Sequence, residues 1–126
     1  MTIKSTSEKY GITEHTLRYY EKIGMIPPVT RTSSGIRDYR EKDLEWVELV
    51  LCMRNAGLPN KVMVEYLRLF QMGDSTIVER LNLLLSQQKV LLEQKKNIDE
   101  TLNRLNYKIS RYEVAVKTGK LTWDED

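Results

Sequence analysis

At 126 residues, 40% hydrophobic and 30% charged with a net charge of +2, the chain has the size of one modest domain or a small domain plus an extension. Mean hydropathy is −0.49, and neither a run of about 18 apolar residues nor the apolar core of a secretory signal is present, so no membrane partner is expected. The single cysteine, Cys52, excludes an intramolecular disulfide and points to a reducing, cytosolic setting.

The charge is unevenly placed. Residues 15–40 hold five basic side chains (Arg18, Lys22, Arg31, Arg37, Arg40) against two acidic ones (Glu21, Asp38), whereas beyond Lys61 each sign counts ten. The positive excess therefore lies in the N-terminal half, where a nucleic-acid face would need it.

In chain order, residues 2–10 predict a short helix ending at Gly11, although Ser5, Thr6 and Ser7 are weak helix formers. Residues 13–25, TEHTLRYYEKIGM, predict a second helix with Thr13 as its cap, Glu14 in the first turn and Gly24 as its stop. Helix, glycine turn, helix is the helix-turn-helix pattern, with Leu17 inward and Thr16, Arg18, Tyr19 and Lys22 outward or sideways. Pro27 and Pro28 forbid helix, and the turn formers of residues 30–35 predict a two-stranded hairpin, or wing, carrying Arg31 and Arg37. Residues 41–55 predict an amphipathic helix closed by Gly57. Pro59 or Asn60 opens another to about Met72, with Tyr66 and Phe70 facing inward. Thr76 and Glu79 offer a capping box for the next helix.

From there the positions Ile77, Leu81, Leu84, Gln88, Leu91, Lys95, Ile98, Leu102, Leu105, Ile109, Tyr112 and Val116 recur in alternating steps of four and three, a heptad seam. A helix of that length spans about 60 Å at 1.5 Å per residue. No second long helix is present in the chain to cover its stripe, so the expected partner is a second copy in a homodimer. Polar Gln88 and Lys95 in mid-seam cost stability but fix register or orientation. The domain reading is 1–72 for a DNA-binding domain, 73–117 for a dimerisation helix and 118–126 for a short, acidic and loose tail.

No mechanism-bearing catalytic motif is present, and His15 and Cys52 stand far apart in order, so the chain is not read as an enzyme. A structural zinc site needs about four ligands, which these residues do not supply, and no cofactor is expected. The side chains that suit duplex DNA are Thr16 and Arg18 at base edges or phosphates, and the hydroxyls of Tyr19 and Tyr20 at phosphates. Arg31 and Arg37 would straddle the flanking backbone, and Lys61 would add a contact near a helix start. The alternative is that Tyr19 and Tyr20 are packing residues and the basic side chains only a solvated face. A coiled-coil adaptor would explain the seam but not the TLRYYE run, and a single-stranded RNA binder would want a larger aromatic platform.

The run from His15 to Ile26, HTLRYYEKIGMI, resembles the TLRYYE-x-x-GL signature of the MerR family of transcriptional regulators. Gly35-x-Arg37-x-Tyr39 resembles that family's wing, and Asp43-Leu44 and Gly57-Leu58 its next helix starts and link. His15 stands where an arginine is common, and Thr6 and Ser7 where apolar and alanine residues are usual. The resemblance implies a mainly α fold: a winged helix-turn-helix followed by a long dimerisation helix in an antiparallel coiled coil that sets half-site separation. It also implies phosphate placement of Tyr39, and a cytosolic, nucleoid-associated dimer that bends and untwists a promoter with an overlong spacer for RNA polymerase.

Only about ten residues follow the seam, so attention falls on Cys52. It is read either as a buried small hydrophobe or as a thiol that meets electrophiles or oxidants, with Arg54 favouring thiolate. Gly73-Asp74-x-Thr76-Ile77-x-Glu79-Arg80-Leu81 and Asn106-Tyr107-Lys108-Ile109-x-x-Tyr112 resemble the thiol- and aldehyde-responsive branch of the family, which implies stress sensing through this lone cysteine.

Overall fold

The computed structural model describes residues 1–123, organised as α1 (Ile3–Tyr10), α2 (Glu14–Lys22), α3 (Glu41–Asn55), α4 (Asn60–Gln71), a single 3₁₀ turn (Asp74–Thr76) and α5 (Ile77–Thr118). Two compact units emerge, Met1–Gln87 and Gln88–Asp126.

In the first unit α1 forms despite its poor propensity because each hydroxyl finds a local partner. Thr2 Oγ1 accepts from the Ser5 amide at 3.0 Å and Thr6 Oγ1 donates to the Thr2 carbonyl at 2.8 Å. Satisfied in this way, Thr6 is fully buried, and it takes the place of an apolar residue. Gly11 turns the chain at φ +67°, a left-handed conformation costly for any residue with a Cβ. Thr13 then caps α2 by accepting from the Thr16 amide at 3.0 Å. Gly24, at φ +81°, follows the helix end, and the Met25 amide closes onto the Tyr20 carbonyl at 2.9 Å.

Leu17, Tyr20, Met25, Ile26, Val29, Tyr39, Val47, Val50 and Met63 make one contiguous core drawn from α2, the loop after it, α3 and α4. Each such side chain contributes roughly 1.5–3 kcal/mol on burial. Asp43 is buried beside them in the first turn of α3. Its Oδ2 accepts from the Arg40 amide at 2.9 Å and its Oδ1 from the Thr30 amide at 3.4 Å, so one carboxylate both caps α3 and anchors the preceding loop.

The wing is smaller than the hairpin expected. Among the described residues it reduces to one antiparallel bridge, Arg31 with Arg37, closed by the Thr32 amide on the Ile36 carbonyl at 2.8 Å. Five residues lie inside that bridge, and their hydroxyls bond locally, Thr32 Oγ1 to the Ile36 amide at 3.2 Å and to Ser34 Oγ at 3.0 Å, which competes with a longer ladder.

Three further expectations are corrected. Phe70, expected inward, is 45% exposed and stacks edge-on against Trp46 at 5.2 Å in a surface aromatic cluster with Tyr66. Thr76 is not the acceptor of a capping box. It lies in the 3₁₀ turn and donates to the Leu69 carbonyl at 2.6 Å and the Gly73 carbonyl at 2.8 Å. The tail, expected loose, is tied down through Trp123. Arg111 Nε and Nη2 reach Thr122 at 2.8 and 2.7 Å, Tyr107 donates to the Trp123 carbonyl, and the Trp123 ring stands edge-on to Tyr112 at 5.9 Å. Residues 124–126 of that tail lie outside the described residues.

The seam of α5 is left open in the single chain. Its apolar members run from 40% exposed at Leu84 to 60% at Ile98, only Leu91 is half-buried, and Val116 reaches 85%. A surface this apolar in one stripe is left without a partner in the single chain. Among the described residues no helix is long and apolar enough to cross a membrane, and no cluster of three or more potential metal ligands occurs.

Candidate nucleic-acid interface

The faces of α2 divide by helical spacing. Leu17 and Tyr20 point into the core. His15, Arg18, Tyr19 and Lys22, at i, i+3, i+4 and i+7, form one exposed stripe. His15 belongs to this stripe, whereas the residues expected at base edges or phosphates were Thr16 and Arg18. Thr16 is half-buried, and its hydroxyl sits 2.9 Å from that of Thr13, within the cap.

Two of the expected phosphate donors are core residues. Tyr20 is 0% exposed, and its hydroxyl accepts from Arg54 Nη1 at 2.7 Å while that guanidinium lies 5.8 Å from the ring centroid. Its position three residues after Leu17 on the inner face dictates this. Arg54 is thereby directed to Tyr20, which removes it as the expected neighbour favouring a Cys52 thiolate. Tyr39 is 1% exposed, and its hydroxyl is buried with no partner among the described residues. Burial pushes its pKa up. Tyr19, by contrast, is 44% exposed, as a contact residue must be.

The wing arginines meet at Glu21, which sequence reasoning treated only as an acidic minority in a basic stretch. Glu21 is half-buried in the last turn of α2. Its Oε2 accepts from the Val29 amide at 2.7 Å, and its Oε1 accepts from Arg37 Nε at 2.8 Å and lies 4.0 Å from Arg31 Nη2. Arg37, expected to straddle the DNA backbone, is turned inward by this pair. Arg31 stays exposed, with Nη1 on the Gly35 carbonyl at 2.8 Å. Arg18 pairs loosely with Glu14 at 3.5 Å, and Arg40 with Asp38 at 2.6 Å. The Met1 ammonium, 2.9 Å from Asp38, and then Arg40 hold that carboxyl below its ordinary range. Among the described residues no lysine of this unit is in an ion pair. Lys22 and Lys61, the latter in the first turn of α4, are exposed and uncompensated, and no contact joins Lys61 to the Glu21 cluster.

Cys52 is exposed on α3, so the reading of it as a buried small hydrophobe is overturned. Successive residues lie about 100° apart on a helix, and Val50 and Met53 take the turns that face inward.

Two helices joined through the Gly11 turn, with a bridged loop behind the second, define a helix-turn-helix protein. The chain belongs to the MerR HTH family of regulatory proteins, whose pattern matches residues 1–69. It is similar to the HTH-type transcriptional regulator AdhR of Bacillus subtilis, 48% identical over 93 residues, covering 74% of this chain and 66% of that protein. Among solved structures it is similar to a MerR family transcriptional regulator from Listeria monocytogenes, with TM-score 0.88, 39% identity and coverage of 94% of this chain and 90% of that one. It is also similar to HiNmlR, a MerR family regulator lacking the sensor domain and bound to promoter DNA, with TM-score 0.84, 36% identity and 94% coverage of both chains.

Proposed function

We propose that this transcriptional regulator binds double-stranded promoter DNA as a homodimer in the bacterial cytosol. Residues 1–72 serve as the reading domain, 73–117 as the pairing helix and 118–126 as the tail. The observation that carries the reading is the exposed His15–Arg18–Tyr19–Lys22 stripe on a helix whose other face is core. HiNmlR, similar over 94% of its chain, is bound to promoter DNA, which supports DNA binding by this chain. In this reading α2 enters the major groove, Arg18 reaches a base edge or phosphate, Tyr19 and Lys22 hold phosphates, and Arg31 and Lys61 take flanking ones. Two copies pair their α5 seams antiparallel, and the dimer bends and untwists a promoter with an overlong spacer so that RNA polymerase engages both promoter elements. The test is binding to the duplex upstream of its own gene. Affinity should fall by about a thousandfold or more between about 50 and 200 mM salt if about six or more phosphates are touched. Equal binding to single strands would defeat the proposal.

Cys52 is the proposed switch. Its exposure on α3 supports this role, as does the resemblance of residues 73–81 and 106–112 to the thiol- and aldehyde-responsive branch of the family. The thiol adds to the electron-poor carbon of a quinone or aldehyde, forming an S–C bond while its proton passes to the adduct oxygen. Cys52→Ser should leave duplex affinity within about twofold, as expected for a surface change, and abolish induction by aldehyde or quinone in a reporter strain. Induction that survives the substitution rules the switch out.

A further inference from the structure

The single Glu21 carboxylate joins three elements: α2, through its own backbone; the loop after it, through the Val29 amide; and the wing, through Arg37 and Arg31. A half-buried carboxylate that accepts from one guanidinium and one amide, with a second guanidinium 4.0 Å away, is well satisfied and directional. It also cancels positive charge at the surface most suited to phosphate. We propose that Glu21 is a specificity-determining positioning residue: through Arg37 it fixes the wing against the recognition helix and withholds that guanidinium from non-specific DNA. Arg37 is then a tether and Arg31, at the longer 4.0 Å and more exposed, is the wing's phosphate contact.

This role of Glu21 rests on the DNA-binding reading above and sharpens it. A wing that swings freely can find phosphates on any sequence. A wing held to α2 finds them only where groove width and backbone path match, and so contributes to readout by shape. Removing the Glu21 charge therefore has a signature opposite to ordinary damage: binding to random sequence becomes tighter while discrimination falls.

The experiment compares the duplex upstream of the gene with a random duplex of equal length, across a salt series. Glu21→Gln keeps an oxygen for the Val29 amide and loses the charge. It should raise random-duplex affinity about three- to tenfold, steepen the log–log salt slope by about one, as expected for one more neutralised phosphate, and cut the specific-to-random ratio by about three- to tenfold. Arg37→Gln alone should leave the slope within about half of wild type, and should lower it by about one only when made on top of Glu21→Gln. Glu21→Asp, shorter but charged, should keep the wild-type slope. An unchanged slope in Glu21→Gln, or equal loss on both duplexes, overturns the proposal. Should Glu21→Gln fail to fold, Arg37→Gln decides alone: a slope lower by about one means that Arg37 already touches phosphate and the proposal fails. A wild-type chain that binds neither duplex overturns the DNA-binding reading as well, whereas wild-type binding with an unmoved Glu21→Gln slope overturns only this inference.

Discussion

Tyr20 and Tyr39 share one core and differ in what their hydroxyls meet. The Tyr20 hydroxyl accepts from Arg54 at 2.7 Å, so Tyr20→Phe loses a charge-assisted bond, but Arg54 regains water at its exposed position. A cost of about 1 kcal/mol is expected. Tyr39 keeps a buried hydroxyl without a partner among the described residues. Its removal in Tyr39→Phe should be neutral or stabilise by up to about 1 kcal/mol, since a buried unsatisfied group carries an uncompensated desolvation cost. Urea midpoints of the two variants check this: equal losses would show that Tyr39 is bonded. Tyr10 gives a pH-dependent counterpart. Burial first, and then its 2.7 Å bond to Glu48 with that residue's negative charge, pushes its pKa up to about 12. Because the folded value lies above the unfolded one, the neutral phenol contributes stability that is fully present below about pH 10. That stability is lost as pH rises toward about 12. Glu48→Gln should bring tyrosinate absorbance on at lower pH by removing the charge and weakening the bond. A tyrosinate titration unchanged by that substitution would refute the coupling.

At the scale of elements, one buried hydroxyl helps fasten the joint between α4 and α5. Thr76 is buried, donates to two carbonyls and accepts from Arg80 Nε at 3.1 Å, while Arg80 also covers Phe70 at 5.3 Å from its ring. Thr76→Val keeps the shape and removes the hydroxyl's bonds while the Leu69 carbonyl keeps the Met72 amide at 3.1 Å, so a loss of about 1 kcal/mol is expected, while Thr76→Ser should keep most of the stability. A chemical-denaturation series of wild type, Val and Ser gives the answer, and a Val variant as stable as wild type would dismiss the joint. This joint also marks where sequence reading stops. Thr13 and Gly24 were legible because cap and stop act on neighbours within four residues. The 4-3 recurrence of α5 was legible because it is a pattern in one dimension. Glu21 was not, because its partners depend on where the Val29 amide and the wing guanidiniums arrive, and Thr76 was not, because the Leu69 carbonyl it meets belongs to the preceding helix. The wing was over-read as a hairpin because turn residues announce a reversal without stating how many ladder bonds survive it. Tyr20 was placed at a phosphate because a tyrosine hydroxyl in a basic stretch suits a phosphate as well as a buried bond, and side-chain chemistry alone does not separate the two. The inner-face spacing from Leu17 to Tyr20 contained that distinction.

For the whole molecule, the open seam is an apolar stripe with no partner in the single chain. Leu102, Leu105 and Ile109 lie on one stripe of α5, each about half exposed. Covering such side chains contributes roughly 1.5–3 kcal/mol each, and in a two-fold pair every position counts twice. Leu102→Lys removes that contribution on both chains and sets an unpaired ammonium in the seam, so the dimer should weaken by about a thousandfold or more. Lys95 offers the reverse experiment. It interrupts an otherwise apolar run, and Lys95→Leu should tighten association while admitting shifted or reversed pairings that the polar residue disfavours. Sedimentation over a dilution series measures the first effect, and cysteine-free disulfide trapping with one new thiol placed on α5 measures the second. Leu102→Lys should also cost duplex affinity, because a monomer engages one half-site and loses the effective concentration that pairing supplies. A Leu102→Lys chain that sediments as a dimer would place the interface elsewhere. A monomer that binds the upstream duplex as tightly as wild type would separate pairing from recognition and leave α2 and its stripe as the whole of the reading surface.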